Sequence, residues 1–119
     1  MNQVQYLEFH RKQCDRMIKI TEAKNRDYAG AGNAFANFTG VEAFGFATTE
    51  QGFLTRMYDK FSRVSNFVKN GELMVKDESV EDTLLDLANY SILFMGYIQS
   101  KKKEKGVEII GSTLDTNRK

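Results

Sequence analysis

Apolar positions recur three and four residues apart along most of the chain, and strand-like alternation never persists beyond a few residues. Tyr6, Phe9, Met17, Ile20 and Thr21 share one face of a first helix expected from about Gln3 to Lys24. The next stretch, "NRDYAGAGNAFANFTG", gathers glycines, asparagines and aromatics, which suits a structured loop, with a short helix after it at "VEAFGF". Thr48 with Gln51 three residues on is a capping box, so a second long helix starts there. It ends at Asn70, with Gly71 in the left-handed position beyond. Its expected core stripe is Phe53, Met57, Phe61, Val64 and Val68. Ser79 and Asp82 repeat the capping pattern and open a third long helix that continues to about Lys103, with Leu84, Ala88, Ile92 and Met95 as its core face.

These elements predict an all-α fold: a helical bundle of three main helices plus a short one, with residues 1–104 as a single domain and 105–119 as a C-terminal tail. The tail has a short apolar centre, "VEII", and reads either as a strand for a partner or as a loose end. Antiparallel packing of the second and third long helices follows from their short connection. The last helix is apolar around most of its circumference, so a homo-oligomer burying Leu87, Phe94, Tyr97 or Ile98 is expected.

Composition narrows the function classes. The 119 residues are 41% hydrophobic and 28% charged with no proline, the balance of one folded helical domain. A formal charge of +1 supplies no field for a nucleic-acid polymer or an anionic membrane, and neither partner is expected. No apolar run reaches membrane-spanning length and the first residues lack the apolar centre of a signal peptide, so a cytoplasmic location is expected. Cys14 is the only cysteine and is expected to pack as a small helix side chain; His10, also single, reads as a surface residue.

Three clusters carry candidate chemistry. Asp82, Asp86, Asn89 and Leu93 fall within a stripe about 60° wide on the last helix, separate from the expected core face. Two carboxylates one turn apart repel unless a cation, a guanidinium or water compensates, so the row is either solvated or the wall of a polar pocket. Arg56, Asp59, Arg63 and Asn66 line one face of the preceding helix, with Lys60 at its border against Phe53 and Phe67. Lys60 and Arg63 either pair with neighbouring acids or hold phosphate oxygens, lysine as a point charge and arginine as a fork. In "KNRDYAGAGNAFANF", Lys24, Arg26 and Asn37 are candidate donors to an anion, while Tyr28, Phe35 and Phe38 either stack on a base or tuck into the core. The loop is neither a Walker A sequence nor a complete dinucleotide fingerprint.

In this order, "KNRDYAG", "NFTG", "FGF", "RMYDKFSRVSNFV" and "DESVEDTLLDLANYSIL" resemble the small phage and prophage proteins grouped as nucleotide modification associated domain 1. The likeness covers about residues 24–98 and implies a helical viral protein linked to nucleotide metabolism, acting inside an infected bacterium. A more distant likeness is to all-α MazG and dimeric dUTPase pyrophosphohydrolases, which hold magnesium between an ExxE pair and an ExxD pair. This chain has "DKFSR" in place of the first pair and spaces the acids of its last helix by four. At most Asp59, Glu81, Asp82 and Asp86 are left to gather a cation.

The expected function is therefore binding without turnover: capture of a nucleotide-derived ligand such as a host defence signal, with no catalytic residue, no metal and no cofactor. The expected ligand residues are Lys24, Arg26, Tyr28, Asn37, Lys60, Arg63, Asp82, Asp86 and Asn89. The alternative is a Mg²⁺-dependent nucleotide pyrophosphohydrolase or nucleotide-modifying enzyme.

Overall fold

A computed structural model describes residues 1–28, 32–72 and 79–105, with the backbone alone for residues 25–28. The described residues are all-α: α1 (Gln3–Tyr28), α2 (Ala36–Ala43), α3 (Thr49–Asn70) and α4 (Val80–Glu104). Both capping boxes form. Thr48 Oγ1 accepts from the Gln51 N–H at 3.0 Å while the Gln51 side chain accepts from the Thr48 N–H at 2.9 Å, and Ser79 with Asp82 repeats the exchange at α4. Each box satisfies two amide donors that a helix start otherwise leaves unpaired. Gly71 ends α3 at φ 79°, a conformation that costs an L side chain but not glycine.

The boundaries correct two expectations. Asn25 to Tyr28 continue α1, where a loop was expected, so "KNRDY" lies on a helix. The short helix begins earlier than expected and takes in "ANFTGVEA", leaving Phe44, Gly45 and Phe46 as a turn with Gly45 at φ 83°. The tail from residue 106 lies outside the described residues.

Aromatic packing sets the arrangement. Phe53 of α3 is fully buried, stacked between Phe38 of α2 (ring centroids 3.9 Å apart) and Phe94 of α4 (4.6 Å), with Tyr97 tilted against it at 5.7 Å. Phe35 meets Tyr97 edge-on at 5.7 Å, and Phe38 meets Tyr90 edge-on at 6.0 Å. Such ring pairs add about 0.5–1.5 kcal/mol each beyond the area they bury. Phe35 and Phe38 thus belong to the core and not to a base-stacking surface. The antiparallel α3–α4 pair forms one layer, α2 closes it near the start of α3, and the second half of α1 lies against α4.

The same packing overturns several core assignments. Leu84, Ile92 and Met95, expected inside, are exposed on α4, and Phe61 and Val68 are exposed on α3. A helix apolar all round gives periodicity no single face to choose, and the partners of Tyr97, Phe94 and Tyr90 decided the rotation instead. Phe94 and Tyr97, expected to await a second subunit, belong to the protomer's own core. Cys14 is exposed and does not pack, and residues 1–12 before it are exposed too.

Candidate functional site

The register that stacks Phe53 on Phe94 also fixes the charged groups. Lys60 lies two turns beyond Phe53 on the same side of α3, and Asp86 lies about two turns before Phe94 on the antiparallel helix. Their side chains consequently meet: Lys60 Nζ is 3.1 Å from Asp86 Oδ2. From α1, Lys24 Nζ approaches the other oxygen of the same carboxylate at 3.7 Å and sits 5.7 Å from the centre of the Tyr90 ring. Two ammonium groups from different helices therefore share one carboxylate, and an aromatic face lies beside one of them.

Burial makes this pair unlike the surface ones. The Lys60 and Asp86 side chains keep 15% and 21% of their exposure, whereas Arg16 and Asp82, 3.3 Å apart, are both about half exposed. Exposed pairs contribute roughly 0–1 kcal/mol because water screens them. Partial desolvation strengthens the Lys60–Asp86 attraction and makes loss of one partner more costly.

The structure brings Lys24, Lys60 and Asp86 into direct contact. Asn89, one turn on from Asp86, donates to the Met17 carbonyl of α1 at 3.4 Å. Asp82, of the same row, takes its guanidinium from Arg16 of α1 and also caps α4. Arg63 pairs along its own helix with Asp59 at 3.5 Å, and Asn37 lies exposed on α2. The side chains of Arg26 and Tyr28 lie outside the described residues. Sequence reasoning missed Arg16 and Tyr90. Tyr90 follows Asp86 by four residues on the same face, a spacing that could have drawn it in. Arg16 carried no local signal, since only the crossing of α1 over α4 brings it to Asp82.

Residues 24–99 match the family described as nucleotide modification associated domain 1. The chain belongs to that family. No curated protein and no solved structure matches it. Within this family member, Lys24, Lys60, Asp86, Asn89 and Tyr90 all fall inside the matched stretch, and Arg16 precedes it.

Of the four acids considered for magnesium, three have basic partners. Asp59, Asp82 and Asp86 are each held by a basic side chain, of Arg63, Arg16 and the two lysines respectively. Among the described residues no group of three His, Cys, Asp or Glu side chains is placed to hold a metal ion. One carboxylate is clearly perturbed: Glu42 is held below the usual glutamate range, mainly because the Thr49 backbone N–H donates to it at 2.7 Å and also through the Thr49 side chain. It ties the end of α2 to the start of α3, away from the lysine pair. No described helix is long and apolar enough to cross a membrane.

Proposed function

We propose that this protein captures a small nucleotide-derived ligand, such as a host defence signal, at the junction of α1, α3 and α4 and holds it without turnover. It would act as a homo-oligomer in the cytoplasm of a phage-infected bacterium. The observation that carries this reading is the convergence of Lys24 and Lys60 on Asp86 beside Tyr90. Asp86 keeps two ammonium groups aligned while free of ligand, so a phosphate meets donors already in place and little ordering entropy is lost on binding. Arg63 supplies a forked donor one turn along α3. Asp82 and Asn89 are the groups for sugar hydroxyls or a base edge, and Arg26, Tyr28 and Asn37 extend the site along the chain from Lys24. Family membership supports a nucleotide as the ligand class.

The test is a thermal-shift screen with mononucleotides, dinucleotides and cyclic nucleotides, each with and without Mg²⁺. Whichever nucleotide raises the melting temperature is incubated with the protein, released by denaturation and weighed by mass spectrometry. Intact recovery is the expected result. A chemically altered product, appearing only with Mg²⁺, would favour a pyrophosphohydrolase instead. If no nucleotide raises the melting temperature, the reading is wrong.

A further inference from the structure

The exposed faces of α3 and α4 share a spacing. On α3, Leu54, Tyr58, Phe61, Ser65 and Val68 follow one another by four, three, four and three residues; on α4, Leu84, Ala88, Ser91, Met95 and Ile98 repeat that sequence of steps, with Ile92 alongside. A 4-3-4-3 step is the heptad seam of helices that pack side by side at a shallow angle. The eight large side chains on these stripes are between 41% (Ile98) and 76% (Val68) exposed.

Both stripes open on one side of the molecule. At 100° per residue the α4 stripe lies about 160° around from Asp82, Asp86 and Asn89, which face α1, and the α3 stripe about 160° around from Gly52. Gly52 meets the Phe38 ring of α2 at 3.7 Å. Tyr90 touches both Lys24 of α1 and Phe38 of α2, so those two helices cover the same side of the α3–α4 pair. The opposite side is a two-helix layer with a heptad seam on each helix.

We propose that a second copy of this chain covers that side, so that α3 and α4 of two protomers form a four-helix bundle. Three observations favour this occupant. The seams have the same step and are apolar on both helices, so a twofold axis sets like against like, as an isologous interface requires. The exposed area of the eight side chains is roughly 800 Å², close to what each partner of a standard stable interface buries. The protomer's own buried apolar core comprises Phe38, Phe53, Leu85 and Tyr97 among the described residues, which is small for a domain of this length. The inference deepens the homo-oligomer reading above by naming its surface. It leaves Lys24, Lys60 and Asp86 on the α1 side of the α3–α4 pair, away from the second copy, so ligand capture and assembly fail separately.

Sedimentation equilibrium of the full chain between about 1 and 100 µM tests it, with dimer the expected species. The Phe61→Lys/Met95→Lys variant should weaken the dimer at least a hundredfold while keeping any nucleotide-induced thermal shift, and Leu7→Lys on the exposed part of α1 should leave it unchanged. Hydroxyl-radical footprinting of the unaltered protein needs no substitution: Tyr58, Phe61 and Met95 should become protected as concentration rises, while Phe44 and Phe46 stay reactive. A monomer at every concentration would assign the face to another protein or to residues 106–119, and overturn the proposal. So would dissociation by Leu7→Lys with the double variant still dimeric, or footprinting protection confined to α1.

Discussion

The same two helices hold opposite environments at their two ends. Where α3 begins and α4 ends, Phe38, Phe53, Phe94 and Tyr97 interleave without a charge among them; two turns along, Lys24, Lys60 and Asp86 meet in a half-buried ionic cluster. The rings hold the register by shape and burial, and losing one leaves a void that the helices cannot close. The ionic cluster depends on that register but contributes little to it, since its charges were well solvated before folding.

Substitutions can break the comparison. Phe53→Ala should remove about 3–5 kcal/mol of stability in chemical denaturation, because it empties the centre of a three-ring stack. A loss under about 1 kcal/mol would mean the aromatic end does not set the register. Lys60→Ala should do the reverse, lowering affinity for a phosphorylated ligand by roughly tenfold or more, the worth of about 1.5–3 kcal/mol for a charge-assisted bond, with the fold retained. Titration calorimetry on a ligand found by the thermal screen measures it, and equal binding by this variant would remove Lys60 from the site.

Thr48→Ala should cost about 1 kcal/mol by opening the capping box of α3, a change in melting temperature that leaves ligand affinity untouched. The smallest effect concerns Glu42. Its carboxyl binds protons more weakly in the folded chain than in the unfolded one, so the unfolded state takes up protons first and the stabilisation is complete above the ordinary glutamate range. It is lost as pH falls through that range and below. Glu42→Gln should therefore flatten the acid limb of a pH–melting profile slightly, and an unchanged limb would show that the Thr49 bond is not a source of acid sensitivity.

Much of this was legible in the chain. The two S/T-x-x-Q/D boxes and Gly71 fixed the ends of α3 and the start of α4 because capping depends on residues three apart and on one backbone angle, both local properties. The all-α class followed from periodicity for the same reason. The loop around "KNRDY" was misjudged because asparagine and glycine density outweighed a helical continuation whose support is tertiary.

The sequence by itself determined where α3 starts and stops and where α4 starts, that Asp82, Asp86 and Asn89 share a stripe, and that Lys60 borders an aromatic face, since each rests on spacing along a single helix. Only the tertiary structure decided which apolar face of α4 turns inward, that Lys24 and Lys60 meet at one carboxylate while Asp82 goes to Arg16, and that two heptad seams remain outside. Those outcomes depend on how ring shapes from α2, α3 and α4 interlock. Interlocking is a property of three chain segments at once, and no window on one of them contains it.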